Sequence, residues 1–229
     1  MEFPRLPSPS SVAEHFARAL AASERAEWPY RHWRLSDVLP ESMCVGILSL
    51  PIPPPLVALT DGTRASFNAK RIFFSAERIA RYAPCAVLAA ALQRPQVARG
   101  LASTLGIPAE GSFLRMEYIQ DTDGMWLEPH CDIPEKLFSM VIYLCTGPDA
   151  KDWGTDIYDS ERRWVGRSAT EFDSAVIFTP GANTWHGFEP RPVVGIRRLM
   201  EINYVRPSWR DRDQLCFPER PIQLSAEAL

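Results

Sequence analysis

The stretch SAVIFTPGANTWHGFEP, residues 174–190, decides the fold. SAVIF is an apolar run too short for a typical helix, TPGAN supplies turn chemistry, and TWHGF resumes an extended pattern around His186. Outward from this stretch, short strands and turns alternate back to Gly111 and forward to Arg206. Strands are expected at roughly 112–119, 137–145, 155–159, 163–166, 174–179, 184–188 and 196–206. Asp123-Gly124, Gly147-Pro148, Trp153-Gly154 and Pro180-Gly181 punctuate them. Many short strands with regular turns point to a sandwich, jelly roll or barrel.

Upstream of about residue 110 the signals are helical. Val12, Phe16 and Leu20 share one helix face, with Ser10 or Ser11 as cap. Pro40 opens a short helix carrying Val45 and Leu48, and PIPPP at 51–55 reads as a loop. RIFFS at 71–75 reads as a short strand, and Ser75–Arg94 as a helix interrupted at Pro84. Pro95 begins another helix, with Val97, Leu101 and Leu105 on its face and Gly106 as its stop. The expected organisation is therefore a helical support region over 1–110, a strand-rich core over 111–206 and a tail over 207–229. The three make one structural domain of α+β class with a mainly β core. For the tail, a structural strap and a functional lid both fit.

With 46% apolar and 23% charged residues, the 229-residue chain can bury a sizeable core. A net charge of −3 without blocks of like charge does not favour nucleic acid as a partner. Five widely spaced cysteines without C-x-x-C argue against a disulfide framework and a zinc knuckle. The N-terminus lacks a signal-peptide pattern, and no segment approaches the ~18 apolar residues of a membrane helix. A cytoplasmic protein with a small-molecule substrate and no membrane association is the expectation.

His130-Cys131-Asp132 places an imidazole and a carboxylate two residues apart, on the same side of an extended chain. Alone, such a pair is common by chance. His186 lies 54 residues beyond Asp132 in TWHGF, after the apolar strand SAVIF and the turn TPGAN, and two imidazoles with one carboxylate leave three coordination positions open. A structural zinc site instead wants four protein ligands, usually with thiolates. Arg197 follows on GIRRLMEINYV, residues 195–205, where a guanidinium could clamp a carboxylate through two parallel hydrogen bonds.

In order, Tyr118, PHCD (129–132), KLFSMVIYL (136–144), WGTDIY (153–158), SAVIFTPGANTWHGFEP and GIRRLMEINYV resemble the double-stranded β-helix, or jelly-roll, core of the Fe(II)/2-oxoglutarate oxygenases. The likeness is to their prolyl-hydroxylase-like branch and covers Phe113–Val205. It implies that His130, Asp132 and His186 are catalytic iron ligands. It implies that Arg197 and Tyr143 hold the distal carboxylate of 2-oxoglutarate, with Arg198 as rival if the register shifts by one and Tyr118 lining the pocket. The serine or threonine common two residues after the basic residue is Leu199 here. Asp132 stands where halogenating members have a small residue, so hydroxylation of an unactivated C–H is implied, using Fe(II), 2-oxoglutarate and O2 and releasing succinate and CO2. Trp126, Glu128 and Arg115 are the candidate substrate contacts. A cupin-like metalloenzyme without 2-oxoglutarate and a non-catalytic β-sandwich binding module are the alternatives.

Overall fold

A computed structural model describes residues 5–55, 62–63, 71–147 and 149–225. The first four residues of the N-terminal segment, Pro148 of the Gly147-Pro148 turn and the last four residues of the tail lie outside this set.

Eleven strands among the described residues form two antiparallel sheets. They are β1 (Glu24–Ala26), β2 (His32–Leu35), β3 (Ile72–Phe73), β4 (Phe113–Asp121), β5 (Leu127–His130), β6 (Ser139–Tyr143), β7 (Asp156–Tyr158), β8 (Trp164–Arg167), β9 (Ser174–Phe178), β10 (His186–Phe188) and β11 (Arg197–Val205). The larger sheet has the order β1-β2-β9-β6-β11-β4-β3, and the smaller one β5-β10-β7-β8. Two facing sheets of this kind are a jelly roll. The seven strands expected from the core segment all form, and β5 joins them.

Helices α1 (Pro9–Ala21), α2 (Glu41–Leu48), α3 (Ala76–Arg81), α4 (Ala83–Leu92) and α5 (Pro95–Leu105) cover the outer face of the larger sheet. The α1 cap is Ser8, whose hydroxyl accepts from the Ser11 amide at 3.1 Å, not Ser10 or Ser11. Pro9 is accommodated at the first helical position, where its missing N–H costs nothing. Phe16 and Leu20 are then buried in the apolar core, each contributing about 1.5–3 kcal/mol by burial. The break expected at Pro84 falls at Tyr82, which is extended, and Pro84 sits in the first turn of α4. Gly106 ends α5 in the left-handed region at φ +70°. The N-terminal region also supplies β1, β2 and β3, so it is less purely helical than its apolar periodicity suggests.

The apolar core lies chiefly between helices and sheet. Met200, Ile202 and Tyr204 of β11 point there, and Tyr204 donates to the Leu92 carbonyl at 2.6 Å. The alternate residues of β11 face the space between the sheets, opposite those of β4. Arg197 pairs with Asp121, Leu199 with Ile119, Glu201 with Glu117, and Asn203 with Arg115. This interior is therefore rich in charge.

The tail lies along β4 as a strap. Cys216 donates its amide to the Leu114 carbonyl at 3.0 Å, and Ile222 exchanges backbone bonds with Gly111 and Ser112. Leu215, Cys216 and Ile222 are fully buried. No helix among the described residues is long and apolar enough to cross a membrane.

Candidate metal centre and its cavity

His130 ends β5 and His186 begins β10, and the two are direct partners in the antiparallel register. Their ring centroids are 4.3 Å apart. The strands approach closely because Gly187 lies between: a Cβ there would stand 2.8 Å from the Leu127 carbonyl oxygen. Asp132, two residues beyond His130, completes the group, with Oδ2 3.8 Å from His186 Nε2. One ligand atom from each residue lies within 4.8 Å of the others.

The hydrogen bonds fit this group to a metal. His130 Nδ1 lies 2.9 Å from the Glu128 carbonyl, and His186 Nδ1 lies 2.9 Å from the Thr184 carbonyl. A carbonyl only accepts, so each Nδ1 carries the proton and each Nε2 presents a lone pair. Metal-binding histidines are commonly oriented in this way. Asp132 is oriented as well: Lys136 Nζ donates to Oδ1 at 2.8 Å and Ser139 Oγ to Oδ2 at 2.5 Å. Lys136 also reaches Glu201 Oε1 at 2.5 Å. Two imidazoles and a carboxylate, with no thiolate, suit a non-haem iron with open positions.

The cavity beside the triad is lined by apolar side chains, including Met125, Leu127, Val141, Phe178, Phe188 and Leu199. Arg197, Asp121, Thr155, Arg71, Glu117 and Glu201 add charge and polarity to its wall. Arg197 is buried and engaged: Nη1 pairs with Asp121, Nε donates to the Trp153 carbonyl at 2.6 Å, and Cζ lies 4.1 Å from the Phe188 ring centroid. Burial raises the Asp121 carboxyl above its ordinary value, and the facing Arg197 opposes that rise.

The other predicted residues are placed less simply. Tyr143 is buried and does not line the cavity; its hydroxyl bonds to Thr155 Oγ1 at 2.7 Å and Ser168 Oγ at 2.5 Å. Burial holds that phenol above its ordinary value. Tyr118 borders the cavity, yet its side chain belongs to the helix-facing core, beside Arg198. Trp126 covers Gly62, and Glu128 is exposed. Arg115 is not on the cavity wall. It is bonded to Glu117 at 3.0 Å, Asn203 at 2.7 Å and Gln214 at 3.0 Å, with its guanidinium within 5.2 Å of the ring centroids of both Phe73 and Trp209.

Lys136, Asp121, Glu201, Thr155 and Arg71 were not singled out from the sequence. Two had a signal. Lys136 follows Asp132 by four residues, and Glu201 follows Arg197 by four on the same strand face. The other three depend on pairings that one chain does not display.

No protein-family model and no curated protein matches this sequence. Solved structures do match. The chain is similar to a prolyl-4-hydroxylase of Pseudomonas putida, at 14% identity and TM-score 0.53, over 90% of this chain and 99% of that one. A prolyl 4-hydroxylase from Phytophthora capsici matches at 12% identity and TM-score 0.57, over 90% and 70%. HygX from Streptomyces hygroscopicus, solved with nickel and 2-oxoglutarate bound, matches at 12% identity and TM-score 0.51, over 78% and 84%. With these neighbours, and with its two histidines and aspartate gathered on the inner wall of the jelly roll, the chain has the fold of the prolyl-hydroxylase-like 2-oxoglutarate oxygenases.

Proposed function

We propose that this protein is an Fe(II)- and 2-oxoglutarate-dependent oxygenase that hydroxylates a small-molecule or amino-acid-like substrate. The observation that carries the reading is the convergence of His130, Asp132 and His186, each oriented by a second hydrogen bond, on a cavity that also holds Arg197. Iron bound there supplies the redox chemistry that couples O2 and 2-oxoglutarate to C–H oxidation, with succinate and CO2 as products.

The chain's own residues have separate tasks. The three ligands hold the metal on one face and leave the cavity side open. Arg197 receives the distal carboxylate of the cosubstrate. Tyr143 acts through Thr155, whose hydroxyl it holds at the cavity wall. Phe178, Phe188, Leu199 and Val141 exclude water and so strengthen each polar contact within. Arg71 presents a guanidinium at the wall, held from one side by Glu117 at 3.0 Å, and Glu201 lies nearby. Such opposite charges favour a substrate with charged groups, as an amino acid has. The five free cysteines fit a cytoplasmic setting.

The Arg197–Asp121 pair favours a second reading, a cupin-like metalloenzyme that takes no 2-oxoglutarate. Succinate release separates the two. Iron-loaded protein is expected to convert 2-oxoglutarate slowly to succinate in the presence of O2, faster with an accepted substrate, and His186→Ala is expected to abolish both. Protein that binds iron yet forms no succinate above the His186→Ala background sinks the first reading.

A further inference from the structure

The arginine expected to receive the cosubstrate is already neutralised. Asp121 and Arg197 are directly opposed in the β4–β11 register, and both are buried on the cavity wall. A dicarboxylate entering here meets one guanidinium already shared with one carboxylate. Two carboxylates on one buried cation repel, and a site of that kind resolves the conflict by holding a proton on one of them.

We propose that 2-oxoglutarate binds this site together with a proton, which Asp121 accepts from solvent as Arg197 turns its charge to the incoming carboxylate. The proposal rests on the reading of the cavity as a cosubstrate site. Asp121 rather than the ligand takes the proton because it is enclosed by protein. Burial favours its neutral form, and the opposing influence of Arg197 weakens when that charge is shared. The groups facing it are Arg197 from β11, Glu117 from β4, Arg71 from the start of the β3 segment, and Cys145 beyond β6. Arg197 in turn lies close enough to Tyr143 of β6 and Arg191 of the loop before β11 to act on both electrostatically. Glu117 is occupied by Arg71 and Arg115, so neither it nor Arg71 substitutes for Arg197. Once protonated, Asp121 becomes a hydrogen-bond donor at the cavity wall, able to add a contact to the cosubstrate.

The test is calorimetric titration of 2-oxoglutarate into Ni(II)-loaded protein, in buffers of different ionisation enthalpy, from about pH 6 to pH 8, where both carboxylates of the probe are ionised. Uptake of about one proton per cosubstrate is expected, with Kd rising by up to about tenfold per pH unit. Asp121→Asn, neutral at every pH, is expected to bind with a flat pH profile and no proton uptake. The wild-type measurement decides even where that variant folds poorly. Tight binding without buffer dependence or pH slope in the wild type overturns the proposal and leaves the cosubstrate reading standing. An absence of 2-oxoglutarate binding at every pH removes both. A proton uptake that persists in Asp121→Asn overturns the assignment to Asp121.

Discussion

Arg197 and Arg198 are neighbours in the chain and point to opposite faces of β11. Arg197 opposes Asp121 on the cavity wall, whereas Arg198 lies beside Tyr118, toward the helices. The consequence is asymmetric. Arg197→Met is expected to weaken 2-oxoglutarate binding by about two orders of magnitude, taking about 2–5 kcal/mol for a truncated buried charge pair. Arg198→Ala should change Kd far less. Calorimetry on the two variants checks the ranking, and a larger loss in Arg198→Ala removes Arg197 from the proposed clamp.

For the metal, His186→Ala is a cleaner probe than Asp132→Ala. Asp132 also holds Lys136 and Ser139, so its removal confounds metal affinity with stability. His186 donates Nδ1–H to the Thr184 carbonyl, which leaves Nε2 to present its lone pair to an ion. Since losing an orienting partner alone costs roughly 10–100-fold in metal affinity, losing this ligand is expected to cost about 100-fold or more. The metal-free variant should melt within a few degrees of the metal-free wild type. Unchanged Ni(II) affinity by titration would falsify the site.

How much of this was legible follows from which contacts are local. The strands of the core were readable because turns such as Asp123-Gly124 separate runs that each fit one strand. The gathering of His130, Asp132 and His186 was readable because His-x-Asp is a local spacing and His186 sits in an apolar context. Strands β1 and β2 were not, since ERA and HWRL have weak alternation; β2 is stabilised by pairing with distant β9, and β1 only by pairing with β2. The same limit hid Asp121. It lies 76 residues from Arg197, and only strand register brings them together. Arg115 shows the converse error: a residue on an inward face was expected to meet substrate, but its guanidinium is taken up by protein partners.

Asp173 predicts a pH effect on stability. It lies at φ +61°, accepts from the Leu39 amide at 3.0 Å, and is pushed up to about 6, mainly by burial. A carboxyl that holds its proton more tightly when folded stabilises the protein at low pH. That contribution is complete below the unfolded value near 4 and is lost as pH rises through about 6. A rise of this size corresponds to at most about 3 kcal/mol, brought by solvent contact to on the order of 1–2 kcal/mol. Asp173→Asn should therefore flatten the melting-temperature profile between about pH 4 and 6. A variant whose profile parallels the wild type in that window assigns the slope elsewhere.

Lys136 ties the metal ligand to the charged interior, and its removal should be felt most when no metal is bound. Its ammonium bridges Asp132 and Glu201, and all three side chains are buried. Lys136→Met leaves two carboxylates without that cation, a loss of the kind that costs about 3–5 kcal/mol in a buried pair. The lower end is expected, because Glu201 keeps the Asn203 amide at 3.3 Å and Arg115 at 4.0 Å. Two further measurements make the cause specific. Glu201→Gln added to Lys136→Met removes one of the stranded charges, so the double variant should be more stable than the single one. Metal ion supplies a replacement cation for Asp132, so Ni(II) should raise the melting temperature of Lys136→Met more than that of the wild type. Chemical denaturation of the four metal-free proteins of the cycle gives the coupling energy. If Lys136→Met is as stable as wild type without metal, or if Glu201→Gln lowers its stability further, Lys136 is not the counter-charge of this network.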